Sequence, residues 1–509
     1  MSRQQRLTLI VAILGSTVVF LDGTVVNVAL PAIADKLDAG LAGQQWVVEA
    51  YMLTLVALLL VGGSLGDQFG RRRIFVIGLI GFAVTSVLCA IAPSVEVLIA
   101  GRALQGVAGA LLVPGSLALV AASFEGAARG RAVGTWTAWT GIAVVVGPAG
   151  GGALVEALSW RAIFWINIPL IAFTVALTLR SVRESSDPDA FRGLDWPGIL
   201  LSAAGLGAPV FALIEQPSRG WGDPLVLIPL LAGIVCLGLF VLRELHARHP
   251  MLDLALFRIR NFWVANVTTF AAYGGLIAGL FFITIFLQQV SGYSPIEAGL
   301  ATTPISVVLF LLSPRFGRLA SGTGPRLPMT AGPIVAGIGL LLLLRVDADA
   351  AYVTEVLPGV LVFSLGLAAT VAPLTATVLD SVNERQVGIA SGANNGIARV
   401  AGLLGIAVLG VVIAAQFEAT AGPGVSGGPL TAAAPEASTA AFHLGIAIAG
   451  LMMIAGGIVA GFGIQNPERH VEAFPAGSAA AAGECGHGTD ADHVPSSPAP
   501  TPAPIGETL

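Results

Sequence analysis

Apolar residues run in long unbroken blocks along this chain, and polar residues gather between the blocks. A membrane-crossing helix needs about 20 apolar residues. Blocks of that kind cover residues 7–30, 43–65, 74–92, 97–121, 132–156, 162–179, 194–214, 224–242, 262–286, 297–314, 327–344, 353–378, 388–414 and 440–464. The pattern predicts an all-α integral membrane protein of fourteen spans. The first block also bears comparison with a signal peptide, because Arg3 and Arg6 precede it and Ala32-Ile33-Ala34 follows it. However, it exceeds the ~7–15 apolar residues of a leader and contains Asp22, so it reads as a retained span.

Charge orients the stack. With the N-terminus inside, the cytoplasmic segments collect most of the arginines, among them Arg71, Arg72, Arg73, Arg129, Arg131, Arg180, Arg183, Arg315, Arg318 and Arg326. The opposite side holds Lys36, Arg161, Arg219 and Arg345. This positive-inside bias predicts that both termini are cytoplasmic in a cell (plasma or inner) membrane. Arg102 and Arg399 alone fall inside spans. Composition agrees: only 11% of the 509 residues are charged and 55% are hydrophobic, against ~25% charged in ordinary soluble domains. The net charge of −5 says little, since charge in such a chain acts loop by loop. Three cysteines, Cys89, Cys236 and Cys485, suggest no disulfide framework.

Two short strings recur at nearly one offset. GSLGDQFGRR (Gly63–Arg72) matches GRLASGTGPR (Gly317–Arg326), and GIAVVVG from Gly141 matches GIARVAG from Gly396. The chain therefore divides into two copies of a six-helix unit, residues 1–180 and 262–464. Residues 181–261 form a linker with two inserted spans. Parallel six-span repeats are a transporter architecture with substrate near the midplane between the halves. Residues 465–509, rich in Ala, Pro, Gly and Ser, read as a disordered cytoplasmic tail. Its Cys485, His487 and His493 are spaced too irregularly to argue for a metal site.

Gly63, Asp67, Gly70, Arg71 and Arg72 lie in GSLGDQFGRRRIF, where glycines allow a tight turn and Asp67 can face an arginine or a helix N-terminus. This string resembles the signature between spans 2 and 3 of the major facilitator superfamily. The likeness extends to LIAGRALQGVAGA (Leu98–Ala110), with Arg102, Gln105 and Gly106. It includes GIAVVVGPAGGGAL (Gly141–Leu154), similar to the span-5 motif of exporters, with Gly147, Pro148, Gly151 and Gly152. LDGTVVNVALP (Leu21–Pro31), WRAIFWINIP (Trp160–Pro169) and GYSPIEAGLATTP (Gly292–Pro304) resemble segments of the fourteen-span drug:proton antiporters. The resemblance implies the major facilitator fold, two six-helix bundles in pseudo-two-fold relation, and a monomeric exporter exchanging small molecules for protons. It also implies that Asp67 reaches the start of span 13, at ANNGIAR (Ala393–Arg399). The second-half loop departs from the pattern: Ser321 stands where the first half has Asp67.

The residues carry their own argument. A carboxylate at the centre of a span costs about 2.5–3.5 kcal/mol, so Asp22 needs a cavity or a partner. It lies roughly 22 Å along the helix from Leu7. Arg102 is the candidate partner. The pair is either a structural ion pair or a proton carrier balanced between desolvation and its arginine. Glu49, in WVVEAYML, is a second carboxylate candidate, or else an interfacial residue near the end of its span. The glycines around Pro148 predict close helix packing with a hinge. Asn266, Phe270, Tyr273, Phe281, Phe282, Phe286, Gln288 and Gln289 offer an aromatic and amide surface for an amphipathic ligand, or simply packing.

Other classes fit poorly. An ATP-driven pump needs a Gly-Lys-Ser/Thr loop, but the only lysine, Lys36, sits in DKLD. No H-E-x-x-H string occurs, and the histidines form no constellation. Neither enzyme activity, cofactor, metal nor nucleic-acid binding is expected. The expected partners are a small-molecule substrate, protons and the lipid bilayer. The substrate reading divides between a multidrug exporter and an exporter dedicated to one endogenous metabolite or antibiotic.

Overall fold

The helices begin where caps and turns permit and run through each apolar block. The computed structural model describes residues 1–124, 126–186, 195–247, 254–383, 386–422 and 428–466. The tail from Pro467, with Cys485 and its histidines, lies outside them, as do Arg192, Arg248 and Arg385. In chain order the helices are α1 (Arg3–Leu37), α2 (Leu41–Phe69), α3 (Arg71–Ala90), α4 (Val95–Ser123), α5 (Gly126–Ala157), α6 (Ala162–Ser181) and α7 (Trp196–Arg219). They continue with α8 (Pro224–His246), α9 (Arg260–Gln289), α10 (Pro295–Thr323), α11 (Arg326–Leu342), α12 (Leu357–Asp380), α13 (Val387–Ala421) and α14 (Pro435–Gly463). Each matches one of the fourteen apolar blocks. Among the described residues there is no strand.

Local chemistry explains the irregularities. Ser2 and Gln5 form a capping box that starts α1, and Ser294 and Glu297 form another that starts α10. Helix α2 bends by 50° between Leu41–Leu59 and Val61–Phe69. The bend comes just before Gly62-Gly63-Ser64, where a side chain on Gly62 would overlap the backbone of Ala110 in α4. Helix α6 breaks at Ile166. Pro169, just inside the second segment, removes an amide donor and crowds the carbonyl of Trp165. The break makes Asn167 the first residue of the longer segment.

Helix pairing repeats. In the first group α2 packs on α4, α3 on α4 and α6, and α1 on α4, α5 and α6. In the second, α10 packs on α12, α11 on α12 and α14, and α9 on α12, α13 and α14. Across the groups, α5 meets α10 and α13 meets α2, which is the pairing a two-fold relation requires. Lipid gives helices no hydrophobic reason to associate, so small residues permit the close contacts. Side chains at Gly339 or Gly366 would overlap Phe363 or Ala336 at the α11–α12 crossing.

The inserted helices α7 and α8 pack as a pair, and α7 lies against α2 and α13. Val210 and Ile214 of α7 join Leu403 and Ala407 of α13 in one apolar cluster, with Trp46, Leu53 and Val56 of α2 packed on it. By contrast, most of α8 is exposed. The largest apolar cluster bridges the two groups. It contains Val25 and Leu30 of α1, Phe281, Phe282 and Phe286 of α9, and Phe442 of α14. Phe286 stacks on Phe442 with ring centroids 4.3 Å apart. Three of the aromatics that could have formed a ligand surface are thus core residues. Gln288 spans the groups as well, donating to the Val28 carbonyl at 3.1 Å.

Candidate functional site

Five helices of the first group meet around Asp22. Its side chain is buried, at 2% exposure, and Arg102 of α4 is at 1%. Arg102 Nη1 donates to Asp22 Oδ2. Oδ1 accepts from Gln105 Nε2 at 3.1 Å and from Asn167 Nδ2 at 3.0 Å. Arg102 also donates to Gln105 Oε1 at 2.7 Å and, through Nε, to the Val47 carbonyl of α2 at 3.0 Å. Ser86 of α3 accepts from Gln105 at 2.9 Å and from Asn167 at 3.2 Å. The guanidinium lies 4.2 Å from the centroid of Tyr51, an attractive cation–π geometry. Tyr51 in turn donates to the Val19 carbonyl at 3.1 Å.

Both Asp22 oxygens therefore face donors. Pairing a buried charge this fully offsets much of its desolvation, whereas breaking such a pair costs about 3–5 kcal/mol. Sequence reasoning chose Asp22 and Arg102 but overlooked Asn167, Ser86 and Tyr51. Asn167 had a signal: the amide and Pro169 together in WINIP mark a helix break within an apolar block. Ser86 and Tyr51 had none, since a serine and a tyrosine are ordinary span residues.

Glu49 is in a different situation. It is fully buried, at 0% exposure, and neither carboxylate oxygen has a hydrogen-bond partner. It is not interfacial. Its α2 neighbours at helical spacing, Gln45, Leu53 and Val56, face α13 or α7, with Gln45 donating to the Ile406 carbonyl at 3.0 Å. Glu49 thus lies on the α2 face that forms the seam between the groups. It does not join the Asp22 network.

The α2–α3 turn is built around Gly70, at φ 105°, a conformation that favours glycine. Asp67 pairs with Arg71 at 2.7 Å. Three arginines at a helix N-terminus oppose its dipole, and the compensating anion comes from after α6. Glu184 accepts from the Arg72 and Arg73 amides at 2.9 and 3.1 Å, and the Ser185 carbonyl accepts from the Arg71 amide at 2.8 Å. Arg72 itself donates to the Leu179 carbonyl at 2.9 Å. The start of α13 holds its amides elsewhere: Asn394 donates to Asn266 and Thr269 of α9, and Asn395 to Ser391. Gly63 lies in van der Waals reach of Pro114 of α4. The adjoining G-x-S-x-G string, Gly62–Gly66, lies inside α2, and Ser64 accepts from Gln68. It lacks the strand-to-helix turn and histidine of a hydrolase nucleophile.

The span-5 glycines serve two contacts. Side chains at Gly147 or Gly151 would overlap Thr24 or crowd Val25 of α1. One at Gly152 would overlap Pro295, and one at Gly299 would overlap the Pro148 carbonyl. Here α5 and α10 touch backbone to backbone. Further along the same face of α5, Gly141 and Gly134 have nothing within 4 Å of a Cβ position. Helix α13 behaves alike: a side chain at Gly410 would overlap Gln45, whereas Gly396 meets open space. Both seams are closed at the end carrying the α1–α2 and α9–α10 turns and open towards the other.

Comparison with known proteins agrees with this architecture. The family model described as Major Facilitator Superfamily matches residues 12–406. The multidrug resistance protein Stp of Mycobacterium tuberculosis is 38% identical over 83% of this chain and 78% of its own length. The tetracenomycin C resistance and export protein of Streptomyces glaucescens is 35% identical over 80% of this chain and 76% of its own. The methylenomycin A resistance protein of Bacillus subtilis is 36% identical over 82% and 89%. Among solved structures, a bacterial homologue of the human lysosomal transporter Spinster, inward-facing and unoccupied, superposes with a TM-score of 0.63 at 17% identity. The match covers 92% of this chain and all of that one.

Proposed function

The chain belongs to the Major Facilitator Superfamily, and we propose that within it the protein is a proton-driven exporter of amphipathic small molecules working by alternating access. Relatives named for multidrug resistance and for resistance to single antibiotics support export. The observation that carries proton coupling is the buried Asp22 carboxylate, saturated by Arg102, Gln105 and Asn167 within one group of helices. Protonating Asp22 would put a hydrogen against one of these donors and strip Arg102 of its counter-charge. The network therefore has two arrangements, and a proton selects between them. Residues 1–180 and 262–464 rock as the two halves about the seams, with residues 181–261 as their connection. The span-5 glycines and Pro148 serve as the hinge, and Asp67 with its arginines gates the cytoplasmic side. Glu49, unpartnered in the seam, is the second group able to exchange a proton as the seam opens.

Energetically, one charge moving through ~100 mV supplies about 2.3 kcal/mol, roughly a fifty-fold gradient. A single proton suffices to drive useful export of a neutral compound. Both termini are cytoplasmic in this reading, and a reporter fused after Leu509 that works only in an external compartment would overturn it. The coupling test uses proteoliposomes with an imposed pH gradient. Asp22→Asn keeps the size and most hydrogen bonds but cannot titrate. It leaves Arg102 without its counter-charge, so melting temperature is measured alongside, and the folded variant should lose gradient-driven efflux. Normal substrate-coupled proton movement in that variant would make Asp22 structural and pass the role to Glu49 or another group. Relatives named for a single antibiotic favour, as a second reading, one dedicated substrate. Susceptibility profiles of a deletion strain separate it from broad export.

A further inference from the structure

Among the described residues, the span arginine Arg399 has no counter-ion. Arg399 of α13 is half-buried. Among the described residues it takes part in no ion pair or hydrogen bond, in contrast to Arg102. Its place in the helix fixes where it faces. Leu403, Ile406 and Gly410, at helical spacing from it, line the α13 face that closes against α2. Gly396, one turn the other way, meets open space. Arg399 therefore sits at the apex of the cleft, where the seam stops being closed. It shares its helix face with Leu403 and Gly410, so it is turned towards the cleft rather than towards lipid.

A second polar group lies on α9, the helix packed against α13. Asn266 and Thr269 of α9 hold Asn394 of α13 at 3.0 and 2.7 Å. Tyr273 lies one turn beyond Thr269 on the same α9 face, is half-buried, and makes no hydrogen bond to a described residue. The position is particular to this half. In the repeat match GIAVVVG/GIARVAG, the first-half counterpart of Arg399 is Val144. The arginine is thus not required by the repeated packing.

We propose that Arg399, with the Tyr273 hydroxyl, recognises the acid group of the substrate, and that the preferred cargo is an amphipathic organic acid. A planar guanidinium presents paired donors that match a carboxylate, and low-dielectric walls strengthen the attraction. The apolar body of such a compound would lie along the α2 and α13 faces below the closed seam. This inference rests on the export reading, but its test needs no gradient, so a failure of proton coupling leaves it standing.

The experiment measures equilibrium binding to the purified full chain in nanodiscs of phosphatidylcholine. The probes are 2-naphthoate and its neutral isostere 2-naphthamide, at neutral pH. The acid should bind at least tenfold more tightly than the amide. Arg399→Gln should bring the ratio close to one, and Arg399→Lys should retain part of it. A ratio near one in the unmodified protein, or an unchanged ratio in Arg399→Gln, overturns the proposal. Phenylglyoxal labelling of the unmodified protein, read by mass spectrometry, does not depend on a variant folding. Naphthoate should protect Arg399 several-fold and naphthamide should not; equal labelling with both overturns it. Nanodiscs containing phosphatidylglycerol distinguish a lipid headgroup as the source of the acid. Protection of Arg399 by that lipid without naphthoate would mean the site takes lipid, and would overturn the assignment to cargo.

Discussion

The two six-helix groups share a scaffold but not a chemistry. The α2–α3 and α10–α11 turns illustrate the shared part. Gly70 and Gly324 both take positive φ, at 105° and 89°. Glu184, just after α6, accepts from the Arg72 amide at 2.9 Å, and Asn466, just after α14, accepts from the Arg326 amide at 3.0 Å. Arg72 donates to the Leu179 carbonyl, and Arg326 to the Gly461 carbonyl at 2.6 Å. Each group thus clips its last helix to its own second turn. The interiors differ. The first group buries an ion pair with amide and hydroxyl support, whereas the second has the neutral Asn394–Asn266–Thr269 cluster at its polar contact. The packing pattern is common to both groups, and the buried ion pair lies in the first.

That contrast can be broken first at Arg102. Arg102→Ala leaves Asp22 buried without its counter-charge and should destabilise the protein by about 3–5 kcal/mol, seen as a large fall in melting temperature and yield in detergent. The equivalent blow to the second group, Asn394→Ala, removes two neutral hydrogen bonds. It should cost about 1–3 kcal/mol by the same measurement. Equal losses would mean that the ion pair is no more demanding than the amide cluster. Smaller still is the effect at the clips. Glu184→Gln removes a charge facing the α3 N-terminus and should cost about 0.3–1 kcal/mol. Asn466→Asp should stabilise α11 by a similar amount, an opposite sign that thermal unfolding at low salt would detect. Asp67→Asn loses its pair with Arg71, a partly exposed contact worth ~1 kcal/mol or less. It should slow transport while leaving substrate affinity nearly intact. Equal loss of both would count against a gating role.

The spans were legible because twenty apolar residues have one common solution in a bilayer, and each block holds a long helix among the described residues. Asp22 and Arg102 were legible for the complementary reason: a charge in such a block stands out and needs an opposite charge. Glu184 and Asn466 were hidden because a carboxylate and an amide in polar loops look ordinary. Only an uncapped run Arg71-Arg72-Arg73 hinted that an anion was needed. Phe281, Phe282 and Phe286 misled in the other direction. Aromatic composition suits a ligand wall and a packed core equally, and the choice depends on neighbours such as Phe442, which lie far away in sequence.

The inserted helix α7 has a consequence for traffic. It lies over the α2–α13 seam, while the α5–α10 seam has no such covering helix among the described residues. A compound dissolved in the bilayer diffuses in two dimensions and enters a transporter sideways where helices part. On the proposed export function, a compound entering from the bilayer would find the α2–α13 side covered by α7 and the α5–α10 side uncovered. The covering is lopsided although the helix pairing repeats.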